Sequence, residues 1–175
     1  MIEYTFTFKY RLSDDDRNSD ALVERLGGAG CTHALVGVGI ADRLALEFTR
    51  EAESAQIAVQ NALETVQNAI PSAMLIEVFP DFGGLTEVAE IVGGVSPQKL
   101  RKLMLANNDF PLPVRGGNPS VWHLADVLGW LGGRKGYEPD QTLRVTATAA
   151  LQVNVAKEAR WYAPENTHEL EHLIA

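Results

Sequence analysis

The residues with the clearest chemical potential are Gln98, Lys99, Arg101 and Lys102. They are interleaved with Leu100, Leu103 and Met104, which recur at the i, i+3, i+4 spacing of one helical face. Such a helix buries its apolar stripe and turns amide, guanidinium and ammonium groups outward. In a DNA major groove an amide pairs with adenine, a guanidinium pairs with guanine, and an ammonium meets phosphate. Ser96 is a good N-cap and Pro97 a good first helical residue, so the helix is expected over 97–106.

A second element is needed to hold that helix against a surface. Leu85–Val92 reads as a short helix with Val88, Ala89 and Val92 on one small apolar face. Ala89 is small enough for another helix to cross closely. Gly93-Gly94 ends the first helix in a turn that favours positive φ. Beyond the second helix, Pro111–Arg115 and Ser120–His123 bracket the turn Gly116-Gly117-Asn118-Pro119, and Leu124–Leu131 reads as a further helix.

The stretch Leu85–Leu131 resembles the winged helix-turn-helix of the excisionase and AlpA-like regulators, a branch of the MerR-type fold. The resemblance rests on the two helices with Gly93-Gly94-Val95-Ser96 between them. It continues through Phe110-Pro111-Leu112-Pro113-Val114, Gly116-Gly117, Trp122, Asp126 and Trp130, in that order. It covers just over a quarter of the chain. That family usually has a single glycine before Val-Ser, and the second glycine here bears on the angle between the helices. The resemblance implies sequence-specific binding of double-stranded DNA, as a regulator or a recombination directionality factor. It implies that Gln98, Lys99, Arg101 and Lys102, with Ser96 at the helix start, meet bases or phosphates. It implies wing contacts from Arg115 and Asn118, and structural roles for Trp122 and Trp130. A helical hairpin with solvated charges is the plainer reading of the two helices alone, and the wing residues favour the DNA reading over it.

The charge pattern agrees with this. The net charge of −8 would repel a polyanion, but it is unevenly spread. Residues 1–82 carry 6 Lys/Arg against 13 Asp/Glu, 83–137 carry 6 against 4, and 138–175 carry 3 against 6. The basic segment is the one that holds the motif.

Around it, the first 80 residues alternate short strands and helices. Tyr4, Phe6, Phe8 and Tyr10 alternate with polar residues, as in a half-buried strand with an aromatic core face. Ser19–Leu26 reads as a helix, His33–Val38 and Arg43–Thr49 as strands, Glu53–Ile70 as a helix that Pro71 ends, and Ala73–Phe79 as a strand. The order β-α-β-β-α-β predicts a ferredoxin-like unit. Pro80–Gly84 reads as a linker. Pro139–Tyr162 reads as one long helix with an inner stripe of Leu143, Ala147, Ala150, Leu151 and Val155, suited to close packing, including between subunits. An acidic tail follows from Glu165.

Other reactive residues carry less. His168 and His172 stand at i, i+4 like a metal pair, but in a frayed acidic tail with no cysteine nearby. Cys31, the only cysteine, has no activating neighbour except His33, and reads as a buried small residue. Gly37-Val38-Gly39 echoes a nucleotide loop but reads as a hairpin turn. Asp14–Asp16 reads as a solvated loop. The aromatic strand reads as core rather than as an RNA-stacking platform.

The expectation is therefore an α+β protein. It has a ferredoxin-like dimerisation or partner module over 1–80, a winged helix-turn-helix over 84–132, and a C-terminal helix with an acidic tail over 138–175. It is expected to be a DNA-binding homodimer and not an enzyme, with no cofactor and no metal. No apolar run approaches the roughly 20 residues of a membrane span, and Met1–Tyr4 does not open a signal peptide, so a cytoplasmic location is expected. The alternative is an adaptor or antitoxin-like factor whose winged unit binds a protein.

Overall fold

A computed structural model of the chain describes residues 1–31, 35–37, 40 and 42–174. The protein is α+β, with seven α-helices and two small antiparallel sheets among those residues. The elements are β1 (Ile2–Arg11), α1 (Ser19–Gly28), β2 (Leu35–Gly37), β3 (Arg43–Ala52), α2 (Ala55–Ala69) and β4 (Met74–Phe79). There follow β5 (Phe82–Gly83), α3 (Leu85–Val92), α4 (Pro97–Ala106), β6 (Trp122–His123), α5 (Leu124–Gly132), α6 (Gln141–Tyr162) and α7 (Thr167–Glu171). No described helix is long and apolar enough to cross a membrane.

The larger sheet has the order β2-β3-β1-β4, and every neighbouring pair is antiparallel. Strand alternation decides its two faces. Tyr4, Phe6, Phe8 and Tyr10 of β1 are all buried, with Leu44, Leu46 and Phe48 of β3. They meet Leu22 and Leu26 of α1 and Val59, Ala62 and Val66 of α2 in one cluster. Phe6 stacks on Phe48 at 5.7 Å, and Phe8 meets Tyr10 edge-on at 6.1 Å. Burying each phenylalanine is worth about 1.5–3 kcal/mol. The other face carries Thr5, Lys9, Thr49 and Glu77, and Lys9 pairs with Glu77 across the strands. Asn18 and Ser54 cap α1 and α2 by accepting from backbone N–H groups of the first turn.

A second cluster gathers Val88 and Ala89 of α3, Leu100 of α4, Trp122, and Leu124, Val127, Leu128 and Leu131 of α5. The long helix α6 serves both clusters. Leu143 and Ala147 pack into the second, and Ala149, Ala150 and Val153 into the first. The small-residue stripe thus packs within the chain, against α2, α5 and the sheet. One stripe position differs from the expected helix face. Val155 is exposed, and its neighbour Asn154 is buried instead.

Pro80–Gly84 is not a linker. Phe82–Gly83 forms β5, which pairs with Trp122–His123 of β6. Asp81 is 1 % exposed, yet no partner is left out. Its Oδ1 lies 2.6 Å from His123 Nδ1, its Oδ2 accepts from Asn154 Nδ2 at 2.8 Å, and its carbonyl accepts from Leu124 N at 2.7 Å. Asn154 also exchanges two hydrogen bonds with the backbone of Val78. A buried carboxylate is tolerated only with such partners. The short polar segment therefore ties the sheet, the second cluster and α6 together.

Candidate functional site

The helix pair forms with the bounds its caps dictate. Val88 and Ala89 bury one face of α3. Gly93 and Gly94 both adopt φ of +67°, the left-handed region that side chains with a Cβ rarely enter. Two such residues in succession turn the chain sharply between α3 and α4. Val95 then plugs the second cluster. Ser96 Oγ accepts from Lys99 N at 3.2 Å, and Pro97 opens α4. Leu100 is fully buried, with Leu103 and Met104 packed beside it. At the far end Asn107 Nδ2 donates to Leu103 O at 2.7 Å. The helix is fixed at both ends, and its outer face is free.

The turn that follows is built on aromatic packing. Phe110 meets Trp122 at 6.3 Å and Trp130 at 4.9 Å, both edge-on. Trp122 Nε1 donates to Pro111 O at 3.0 Å. Arg115 and Val121 exchange two backbone hydrogen bonds. Between them Gly117 has φ of +132°, Asn118-Pro119 is cis, and Ser120 Oγ donates to Gly117 O at 2.8 Å. Arg134 lies over the Trp130 ring at 3.8 Å and grips both oxygens of Asp109. Trp122 and Trp130 are thus framework. Trp130 Nε1 is buried without a hydrogen-bond partner among the described residues.

The candidate residues fall into distinct places. Gln98, Lys99, Arg101, Lys102, Arg115 and Asn118 are all exposed. Ser96 is exposed too, but its hydroxyl is spent on the cap. Arg101 and Asn118 line one groove of about 720 Å³, together with Gly84, Thr86 and Glu87 at the start of α3. Gln98 joins Arg101 in a shallower recess against Leu85 and Thr86. Lys99 points elsewhere. Two residues of helix separate it from Arg101 by roughly 200°, and its Nζ sits 5.3 Å from the centre of the Tyr137 ring. Lys102 lies on the open face between these flanks. Arg115 holds the base of the turn through its backbone, and its side chain is exposed.

Electrostatics favour an anion here. None of Lys99, Arg101, Lys102 and Arg115 has a carboxylate within ion-pair distance among the described residues, whereas Arg25, Arg43 and Arg134 do. Glu87 is the one acidic residue in the Arg101 groove. Two features of this surface escape a reading of the residues alone, and a third is open to it. Thr86 comes next to Arg101 only once the helices cross. Tyr137 comes under Lys99 from a loop whose path no periodicity reports. Leu105 is 72 % exposed on the outer face of α4, a position that its offset from Leu100, Leu103 and Met104 does signal. Leu112 and Val114 are exposed nearby in the chain.

The chain matches no protein-family model, no curated protein and no solved structure.

The other reactive groups stay apart from this surface. Cys31 is buried, and burial pushes its thiol up, away from thiolate reactivity, against a smaller pull from Arg50. Asp14–Asp16 forms a single 3-10 turn in which Asp16 accepts from Ser13, Ser72 and Arg25. His168 and His172 lie in or just past α7, which buries no residue, and no group of metal-ligating side chains occurs among the described residues. Val38, Gly39 and His33 lie outside the described residues.

Proposed function

We propose that this chain is a sequence-specific DNA-binding protein, a transcriptional regulator or excisionase-like factor that reads the major groove with α4. In this reading α3, α4 and the Arg115–Val121 turn are a winged helix-turn-helix, and the 1–80 unit is a ferredoxin-like module that serves a cytoplasmic homodimer. The sheet order and the βαββαβ element order support the second assignment. One observation carries the first. An otherwise acidic chain presents four cations that have no ion-pair partner among the described residues, around one exposed, firmly capped helix and the turn beside it. Gln98 and Arg101 share a flank of that helix, so adenine and guanine are the bases they suit. Arg115 and Asn118 suit backbone or minor-groove contacts from the wing.

The test is fluorescence anisotropy on duplex DNA from upstream of the coding region, against scrambled duplex, over a salt series. Tighter binding to the upstream duplex, weakening as salt rises, is expected. Equal or absent binding to both duplexes at low salt removes the reading.

A second reading has its own support. Leu105 on α4, and Leu112 and Val114 in the segment that follows it, are exposed. Exposed apolar side chains suit a protein partner. An adaptor or antitoxin-like role would bind such a partner tightly, with little salt dependence and no DNA affinity.

A further inference from the structure

We propose that the cleft between α2 and α6 is a seat for the 165–174 segment of a second copy of this chain. The cleft comes from two helices that do not fully close on one another. Leu63, Val66 and Ile70 form one wall, and Val153, Ala156 and Trp161 the other. It encloses about 600 Å³. A shallower groove of about 370 Å³ continues it along Val59 and Ala149, sharing Leu63, Val153 and Ala156. The lining is mostly apolar, and no described segment of the chain covers it. Among the described residues, Lys157 and Arg160 are its only charged lining residues. Arg160 has no ion pair among the described residues, and no carboxylate lines either part.

The tail has the complementary character. After Arg160 the sequence holds Glu165, Glu169 and Glu171 and no lysine or arginine. Leu170, Leu173 and Ile174 follow the i, i+3, i+4 spacing, and Leu173 and Ile174 are almost four-fifths exposed. Leu173 and Ile174, just past α7, are thus exposed apolar side chains flanked by carboxylates in the same molecule as an apolar cleft edged with cations.

The occupant is a second copy because of how the tail departs. Pro164 disfavours helical backbone at Ala163, which is extended at φ −60° and ψ 124°. No described residue past Trp161 lines either part of the cleft, so the chain's own tail is not seated there. A two-fold exchange fills two identical seats at once and doubles the buried area, towards the roughly 1,200–2,000 Å² of a stable interface. This deepens the dimer part of the reading above, and it does not depend on DNA.

The experiment is sedimentation of the full-length chain without DNA, from low to high micromolar. The parent is expected to be a dimer that salt weakens. The pair Leu173→Asp and Ile174→Asp, on exposed positions, is expected to raise the dimer dissociation constant by about tenfold or more. Ala156→Glu, in the cleft wall, is expected to do the same, with thermal melting of each variant checking its fold. A monomeric parent overturns the proposal, including one whose tail amides are protected by folding back on their own cleft. So does a dimer unmoved by the tail pair, which leaves the fold intact whatever Ala156→Glu does. A dimer without DNA affinity keeps this inference and removes the DNA reading. A monomer that binds the upstream duplex does the reverse.

Discussion

Asn154 of α6 donates its Nδ2 to Asp81 Oδ2 at 2.8 Å, with both side chains 1 % exposed. The contact spans 73 positions of sequence. It couples the helix shared by both clusters to the segment between β4 and β5. Asn154→Leu would leave one Asp81 oxygen and two Val78 backbone groups without partners in a dry interior. Each orphaned group costs about 1–3 kcal/mol, so a loss of about 3 kcal/mol or more is expected. Urea unfolding measures it. A variant within about 0.5 kcal/mol of the parent, the range of an ordinary surface change, would mean that the network is incidental.

Asp16 makes a different kind of contribution. Hydrogen bonds from Ser72 and Arg25 outweigh the opposing effect of desolvation and hold its carboxyl below the ordinary value of 3.8. A folded-state value below the unfolded one stabilises the protein above the unfolded value. That stability is lost as pH falls through the folded value. Asp16→Asn is therefore expected to cost most near neutral pH and progressively less below about 3.8. Melting temperatures of parent and variant across pH would converge in acid. A constant gap would assign the loss to geometry rather than to charge.

Much of this architecture is legible from local rules. Leu85–Val92 and Pro97–Ala106 carry their own punctuation, glycines at one boundary and Ser96-Pro97 at the next, so their bounds follow from the residues. The aromatic alternation of β1 states its buried face directly. What local rules misplace are positions whose partners are distant. Pro80–Gly84 has the composition of a turn, and its burial depends on His123 and Asn154, 42 and 73 positions from Asp81. In α6 a stripe rule prefers Val155 to Asn154, because it ranks apolar above polar. The structure buries the asparagine since its hydrogen bonds are met there. For the candidate surface, the residues name a set of outward polar groups. They do not separate Arg101, facing α3 and the turn, from Lys99, facing Tyr137, because that division depends on the path of the loop before α6.

The turn between α3 and α4 tests how strictly the helices are set. Gly93 and Gly94 have open space where a Cβ would go, so only the backbone conformation resists a side chain. Gly93, at φ +67° and ψ +163°, lies in a region essentially reserved for glycine, and such positive-φ conformations cost other residues roughly 1–3 kcal/mol. Gly93→Ala and Gly94→Ala are each expected to destabilise by about that much in chemical denaturation. If either is neutral, the turn has relaxed to negative φ, and the crossing of α3 and α4 is looser than the packing of Val88 and Leu100 indicates.

The flanks of α4 give the sharpest test of the proposed function. Arg101 shares its groove with Thr86 and Asn118, whereas Lys99 is drawn over Tyr137. If α4 enters a major groove with Gln98, Arg101 and Lys102 inward, Arg101 is the residue able to grip a guanine edge. Arg101→Ala should then cost about 1–3 kcal/mol in binding and relax preference at one base position. Lys99→Ala should weaken binding evenly across sequences and lower the salt slope by about one, as the loss of a phosphate contact does. Both side chains are exposed, so neither change should shift the melting temperature much. Competition anisotropy with single-base operator variants separates the two. If Lys99→Ala alters base preference and Arg101→Ala does not, the recognition face is the Tyr137 side of α4. The groove beside Thr86 and Asn118 would then face away from the bases.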